Sequence, residues 1–298
     1  MRVHNRCCAH SADATKIQDG RDKLIKPRNY LQRAIRSAFI LSLCLAGANC
    51  ARQPRAQVNP ETARRELALR GINFKEKEFV MHAGNGDAWA VRLFLAAGMS
   101  PDVKDERGAT PLTAAMINSQ KSVVKILLDK NANPNVLDRD GKTPLIRAAQ
   151  AADKELVRAL LDHRADPNMP GLENFTALMY ALGNSDPEIA QLLIAREADV
   201  TATDNSGGTP LAWAVFYNRT PLVELLLAKG SDPNAVNKVG GTPLMIAAAK
   251  GNAQIVRLLL ERGAKTELKD RQGKTARQWA LDSRKLEVAE LIQQAERR

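Results

Sequence analysis

The chain has 298 residues, of which 26% are charged and 44% are hydrophobic, and its formal net charge is +11. The hydrophobic content excludes a wholly disordered chain, and the length suffices for one large domain or two smaller ones. A positive net charge indicates a nucleic-acid partner only where the basic residues cluster on one face of a folded region.

The excess positive charge lies at the N-terminal end. Residues 1–48 hold nine Lys and Arg against three Asp and Glu, and residues 49–70 hold five against two. From residue 71 onward, thirty basic residues stand beside twenty-eight acidic ones. The larger part of the chain is therefore close to neutral, and we predict no nucleic-acid partner for it.

Residues 1–48 have the layout of a secretory signal peptide with an unusually long basic n-region. The apolar run 37–48 follows arginines and ends in Ala46-Gly47-Ala48, a small-x-small cleavage pattern. The run is shorter than the roughly 18 apolar residues that a membrane span needs. We predict export to a periplasmic or secreted location and no membrane span. A translation start downstream of the first residue, or a buried helix, would also explain the pattern.

All four cysteines lie in the first fifty residues, so the remainder carries no disulfide framework. Cleavage after Ala48 would leave Cys50 as an unpaired thiol near the new N-terminus. Bacterial lipoproteins carry a lipidated cysteine at such a place, but their recognition sequence prefers a small residue where Asn49 stands here. A membrane-anchored lipoprotein is thus the alternative to a released protein.

Residues 49–76 are predicted to form a linker and an N-terminal capping helix. Residues 61–70 have the pattern of a short amphipathic helix, and Gly71 would end it. The residues that follow repeat at a fixed interval, as described next, and a stack of repeated units needs a terminal cap whose outer side is polar enough to stay soluble.

From residue 77 onward, the sequence repeats at an interval of 33 residues. Threonines mark the interval, and four of them open the string Thr-Pro-Leu; they are Thr110, Thr143, Thr176, Thr209, Thr242 and Thr275. Each is followed by a segment of helical spacing, by an apolar block, and by a turn rich in Gly, Asn, Asp and Pro. A fixed interval of this length is typical of a solenoid.

The repeat closely resembles the ankyrin-repeat family, whose unit reads Thr-Pro-Leu-His, Ala-Ala, Gly-His, a leucine block, Gly-Ala-Asp-x-Asn and Asp-x-x-Gly. The best match runs from Gly241 through the Thr-Pro-Leu at Thr242 and the block 255–260 to Gly263-Ala264. The resemblance implies an all-α solenoid of stacked helix-turn-helix units with short β-hairpin-like turns. We count seven units in 77–298, which start at residues 77, 110, 143, 176, 209, 242 and 275, the last being the C-terminal cap.

The end of each apolar block requires a residue in the left-handed conformation. Gly98, Gly230 and Gly263 stand there and adopt it without cost. Arg164 and Glu197 occupy the same place in two other units, and we expect backbone strain at both.

No catalytic or cofactor site is predicted. The strings Gly141-Lys142-Thr143 and Gly273-Lys274-Thr275 look like phosphate loops, but each lacks the second glycine that such a loop needs five residues earlier. The four histidines are too scattered for a metal site or a catalytic dyad. We therefore expect a protein that is not an enzyme and has no cofactor.

The family binds partner proteins on a concave face lined by the first helices and the turn tips. If the residue two after each threonine is buried, the residues four and eight after it share the opposite stripe. Four of the chain's twelve aromatic residues lie on that stripe. Aromatic residues near arginine are typical of binding hot spots. The candidate partner-binding residues are Arg147, Tyr180, Trp213, Phe216, Tyr217 and Trp279. Alternatively, the rings only pack between adjacent first helices.

The sequence thus predicts a monomeric, non-catalytic scaffold that binds an unknown protein partner. A specific inhibitor or chaperone of one exported enzyme would use the same surface and is the alternative. An enzyme with an unrecognised site is a third class, and it would require a polar cluster with perturbed ionisation in a pocket.

Overall fold

A computed structural model describes residues 59–184 and 186–297, so the predicted signal peptide, Cys50 and most of the predicted linker lie outside the described residues. Every regular element in these ranges is helical. The helices are α1 (Pro60–Leu69), α2 (Glu76–Gly84), α3 (Ala88–Ala96), α4 (Pro111–Ile117), α5 (Lys121–Asp129), α6 (Pro144–Gln150), α7 (Lys154–Asp162), α8 (Ala177–Leu182), α9 (Glu188–Ala195), α10 (Pro210–Phe216), α11 (Thr220–Ala228), α12 (Pro243–Lys250), α13 (Ala253–Glu261), α14 (Ala276–Asp282) and α15 (Leu286–Glu296), with a short 3₁₀ turn at Leu172–Asn174.

The periodic threonines begin the even-numbered helices from α4 to α14. In each case the threonine hydroxyl accepts a hydrogen bond from the backbone N–H three residues later, as from Thr113 to Thr110 (3.2 Å) and from Met245 to Thr242 (3.3 Å). Four of the threonines precede a proline, whose missing N–H would have had no partner in the first turn. A cap of this kind contributes about 1 kcal/mol.

The helices stack in two rows. The first helices, α2 to α14, contact one another in chain order, and the second helices do so from α3 to α9 and from α11 to α15. Helix α1 packs on α3, and its Ala63 and Leu67 are fully buried, so it covers the N-terminal end of the second row. One continuous apolar core therefore runs along the stack.

The two rows differ in the size of their buried side chains. In α12, Leu244, Ala247 and Ala248 are at most 1% exposed, and the two small alanines let adjacent first helices approach closely. The second helices carry larger residues, such as the fully buried Leu226 in α11 and Ile255 in α13. Burying a side chain of this size stabilises the fold by about 1.5–3 kcal/mol.

The turns that project between successive helix pairs are closed like hairpins, although no strand occurs in the described residues. In each of them, one backbone N–H donates to the carbonyl four residues later, as from Asp204 to Gly208 (3.0 Å). Adjacent turns are also joined, because the Lys238 N–H donates to the Ser206 carbonyl and that of Arg271 donates to the Val239 carbonyl. Backbone hydrogen bonds of this kind join successive turn tips from the turn at residue 138 to the turn at residue 270.

A second set of links joins the loops after the second helices. The Asn168 side chain accepts from the Asp199 N–H at 2.7 Å and donates to the Glu197 carbonyl at 3.1 Å. Asn135 and Asn234 bridge to their next repeats in the same way. A single amide therefore satisfies one donor and one acceptor of the following repeat.

The ends of the second helices show the expected left-handed residues. Gly98, Gly230 and Gly263 have φ angles of 89°, 92° and 84°, and Arg164 and Glu197 both have φ of 65°. A left-handed conformation costs a residue with a side chain about 1–2 kcal/mol. The strain predicted at the latter two positions is therefore present.

Candidate functional site

The candidate residues lie on the side of the first helices that faces the turn tips. The residue two after the threonine is buried in five of the six units, as Leu211 shows, whereas Arg277 in the last unit is half-buried. The residue four after each threonine is half-buried in every unit: Ala114, Arg147, Tyr180, Trp213, Ile246 and Trp279. The residue eight after is exposed in most of them, Tyr217 included. The stripe predicted from helical spacing thus exists, with a half-buried row beside an exposed row.

Four of the six candidates meet in one aromatic cluster, which consists of Phe175, Tyr180, Trp213, Phe216 and Tyr217. Phe175 contacts both Tyr180 and Trp213 edge-on, with ring centroids 4.9 and 5.1 Å apart. Trp213 in turn contacts Phe216 edge-on at 5.7 Å and stacks on Tyr217 at 5.8 Å. The cluster bridges α8 and α10.

The cluster has a covered side and an open side. Phe175, Tyr180 and Trp213 are half-buried, whereas Phe216 is 43% exposed and Tyr217 is 38% exposed. Burial raises the pKa of the Tyr180 hydroxyl above its ordinary value, so the phenol stays neutral. Edge-on ring pairs add about 0.5–1.5 kcal/mol beyond their area burial, which means that the exposed rings are held in place by the covered ones.

Each tryptophan on the stripe is fixed by a carboxylate nine residues earlier. The Trp213 Nε1 donates to Oδ2 of Asp204 at 2.7 Å, and the Trp279 Nε1 donates to Oδ2 of Asp270 at 2.8 Å. The other oxygen of Asp204 accepts the backbone N–H groups of Ser206 and Gly208, which shape the turn. One aspartate therefore closes the turn and orients the ring.

The environment of these aspartates favours the ionised form. Burial raises the pKa of the Asp204 carboxyl, but the hydrogen bonds from Ser206, Gly208 and Trp213 together lower it more, and the pKa lies below its ordinary value. The Lys274 backbone N–H has the largest effect on Asp270 and also holds its pKa below the ordinary value. Both carboxylates are therefore negative near neutral pH.

Arg147 occupies the same register as the two tryptophans and makes the same kind of contact. Its Nε bonds to Asp138, and its Nη2 bonds to Asp140 at 2.5 Å. Burial lowers the pKa of the guanidinium, but the two carboxylates raise it more. Arg147 is thus engaged by acids of its own turn and stands apart from the aromatic cluster.

Lysine ammonium groups lie over the rings at three places on this side of the helices. The Nζ of Lys250 is 4.1 Å from the ring centroid of Phe216, while Lys142 lies 5.5 Å from Tyr180 and Lys274 lies 5.3 Å from Trp279. A cation in this position is worth about 0.5–1 kcal/mol at an exposed site.

The structure therefore brings together Tyr180, Trp213, Phe216 and Tyr217 and leaves Arg147 and Trp279 at separate places on the same side. It adds Phe175, which sequence reasoning missed. That residue directly precedes the periodic threonine, where the other units have Ala, Lys or Gly, and its aromatic character was the available signal.

A family model of ankyrin repeats matches three overlapping stretches of the chain, residues 79–171, 166–237 and 218–297. The chain belongs to the ankyrin-repeat family. None of the curated proteins compared with it matches. Among solved structures, it is similar to the ankyrin repeat domain of Bcl-3, described as a unique member of the IkappaB protein family; the identity is 32%, the TM-score is 0.62, and the match covers 72% of this chain and 97% of that one.

The ankyrin-repeat assignment fixes the architecture and the broad function. The fold is an all-α ankyrin-repeat solenoid, and ankyrin repeats are scaffolds for protein–protein interaction, typically without catalytic activity. No helix among the described residues is both long and apolar enough to cross a membrane. The function of an ankyrin-repeat protein therefore depends on which surface of its stack a partner recognises.

Proposed function

We propose that a protein partner docks on the first-helix side of the stack, with the aromatic cluster at the centre of the contact. The exposure of Phe216 and Tyr217 on top of the half-buried Trp213 carries this proposal. Exposed aromatic residues that rest on a packed base are typical anchors of protein interfaces. Arg147 and Trp279 extend the same surface toward the two ends.

The cluster would bind with little loss of conformational entropy. Trp213 is held by Asp204 and by three neighbouring rings, and its position does not depend on a partner. Immobilising a free side chain on binding costs about 0.5–1.5 kcal/mol. A surface whose rings are already fixed avoids most of that cost.

The test is a crosslinked affinity purification from native cells, with the partner identified by mass spectrometry. The informative variant is Phe216→Ser with Tyr217→Ser, because both side chains are exposed and their loss leaves Trp213 bonded to Asp204. The matched control is Leu286→Ser, since Leu286 is 64% exposed on α15 and lies away from the cluster.

We expect the same partner with the wild type and the control and its loss with the double variant. Retention of that partner by the double variant would mean that the rings only pack between helices. If the partner is an enzyme, its activity in the presence and absence of the chain distinguishes an inhibitor or chaperone from a passive scaffold.

We further propose that the protein is exported, on the basis of the signal-peptide pattern in residues 1–48. N-terminal sequencing of the mature protein from its native host tests this, and a first residue at or near Asn49 is expected. Mass spectrometry of the same N-terminus would reveal a lipid on Cys50, and the variant Cys50→Ser separates an anchored form from a released one.

A further inference from the structure

An apolar cleft lies beside the aromatic cluster, between Phe216 of α10 and Trp279 of α14. Its remaining lining comes mainly from Met245, Ile246 and Ala249 of α12. The cleft measures about 280 Å³, just below the range of about 300–1,000 Å³ that is typical of small-molecule pockets. It has room for one large apolar side chain.

The cleft exists because one unit departs from the pattern of its neighbours. Ile246 stands in the register where the preceding unit has Trp213 and the following unit has Trp279. The smaller side chain leaves unfilled the space that a third indole ring would occupy. Phe216 and Trp279 therefore face a gap whose floor is aliphatic.

The same unit departs from the pattern at the turn. Asn237 replaces the aspartate found at Asp204 and Asp270. Its Oδ1 accepts the backbone N–H groups of Val239 and Gly241 at 3.1 and 2.7 Å, so its Nδ2 takes the place of the carboxylate oxygen that elsewhere binds an indole. Within the described ranges that Nδ2 donates no hydrogen bond, and Asn237 lines the cleft. An amide donor is therefore available beside the apolar gap.

The rim of the cleft is positively charged. Lys250 lines it, and Lys238 and Arg271 lie on the adjoining turn tips, where the Arg271 N–H binds the carbonyl of exposed Val239. In the part of the chain that the structure describes, none of these three cations forms an ion pair. The one acid in the lining, Asp270, is already bonded to Trp279 and two backbone N–H groups. The rim thus favours an anionic ligand.

We propose that this cleft receives an apolar side chain from an acidic peptide segment of the partner protein. The side chain fills the gap between Phe216 and Trp279, a carbonyl or carboxylate oxygen accepts from Asn237, and flanking Asp or Glu residues face Lys238, Lys250 and Arg271. The inference rests on the proposed function and adds to it the chemistry that the partner must present.

The neighbouring units supply variants that fit the fold. Ile246→Trp places an indole where two adjacent units carry one, and it fills the cleft. Asn237→Asp places a carboxylate at the position where the neighbouring units have Asp204 and Asp270. It removes the amide donor and repels an acidic ligand. Lys250→Glu reverses the charge at the rim, and Lys229→Glu is the matched control because Lys229 is exposed directly after the last residue of α11.

The experiment selects a phage-displayed library of random twelve-residue peptides on the folded chain. Selected peptides are then measured by fluorescence polarisation against each variant. We expect enrichment of Leu, Phe or Trp flanked by Asp and Glu. Binding should weaken at least ten-fold with Ile246→Trp, Asn237→Asp and Lys250→Glu, and should not change with Lys229→Glu.

Other outcomes overturn the inference in distinguishable ways. Basic or uncharged consensus peptides, the absence of enrichment, or equal binding to Ile246→Trp would each exclude the cleft as an acidic-peptide site. Ten-fold tighter binding of a labelled oligonucleotide than of the selected peptides would assign the rim to nucleic acid. Peptides that bind Ile246→Trp normally but lose affinity with Phe216→Ser and Tyr217→Ser would leave the proposed function intact and place the contact on the aromatic cluster.

Discussion

The indole of Trp213 donates a 2.7 Å hydrogen bond to Asp204, which is only 7% exposed. Because Asp204 also closes the turn that precedes α10, the orientation of the ring depends on the shape of the turn. Trp279 and Asp270 repeat the arrangement in α14. Each of these turns and the half-buried indole that it holds thus form one hydrogen-bonded assembly, and the exposed rings of Phe216 and Tyr217 pack on it at Trp213.

Trp213→Phe should lower the free energy of unfolding by about 1.5–3 kcal/mol, because it removes the donor and leaves a partly buried carboxylate oxygen unpaired. Urea unfolding followed by circular dichroism measures the loss. The double-mutant cycle with Asp204→Asn isolates the contact. Additive single effects would show that the hydrogen bond contributes nothing of its own.

Acid should weaken this assembly in a defined range of pH. The folded pKa values of Asp204 and Asp270 lie below the ordinary value of 3.8, so both carboxylates stabilise the fold fully above that value. Their contribution is lost as the pH falls through the lower folded pKa values. Urea midpoints measured from about pH 6 to pH 2 should therefore decline mainly below about pH 4. In Asp204→Asn the decline should be smaller, and an unchanged profile would contradict the assignment.

Leu226→Ala should cost about 2–5 kcal/mol, since Leu226 is fully buried between second helices and its truncation leaves a cavity. Leu225→Ala is the matched control, because the neighbouring leucine is only half-buried. Chemical denaturation of both variants gives the comparison. Equal losses, or a loss well under 1 kcal/mol at Leu226, would refute the core assignment.

Arg164→Gly and Glu197→Gly should each stabilise the protein by up to about 1 kcal/mol, because glycine adopts a positive φ without steric cost. Gly263→Ala is the reverse test. A Cβ there would meet no atom within 4 Å, so any destabilisation reports the backbone alone. Thermal unfolding ranks the three variants, and destabilisation by both glycine substitutions would mean that chain entropy outweighs the strain.

Sequence reasoning predicts the solenoid well because its determinants are local. A threonine cap, a proline after it and an apolar block at helical spacing can each be read within one unit, and Thr242 to Gly263 contains them all. Spacing likewise places Tyr180 and Trp213 on one stripe. The exposure of a ring depends on which residues of the next unit pack beside it, and helical spacing within one unit does not predict those contacts.

The contacts of the aspartates in the turn tips show which features the local sequence does not predict. Asp138 lies in a turn, where one of its carboxylate oxygens accepts hydrogen bonds from the backbone N–H groups of Asp140 and Lys142. Its second oxygen also binds Arg147, as Asp204 binds Trp213. That contact requires the helix to fold back over the turn, and a turn motif alone does not specify it.

Thr201 stands where Asn135, Asn168 and Asn234 form the amide bridge, and its hydroxyl instead donates to Asp199 of its own loop. At that junction the Ser231 hydroxyl donates to the Val200 carbonyl in its place. The aromatic cluster spans the same junction, with Tyr180 on one side and Trp213 on the other. If the molecule is pulled by its ends in optical tweezers, we expect the contact between these two units to break first. A partner that binds rings of both units would hold the units together and raise the rupture force.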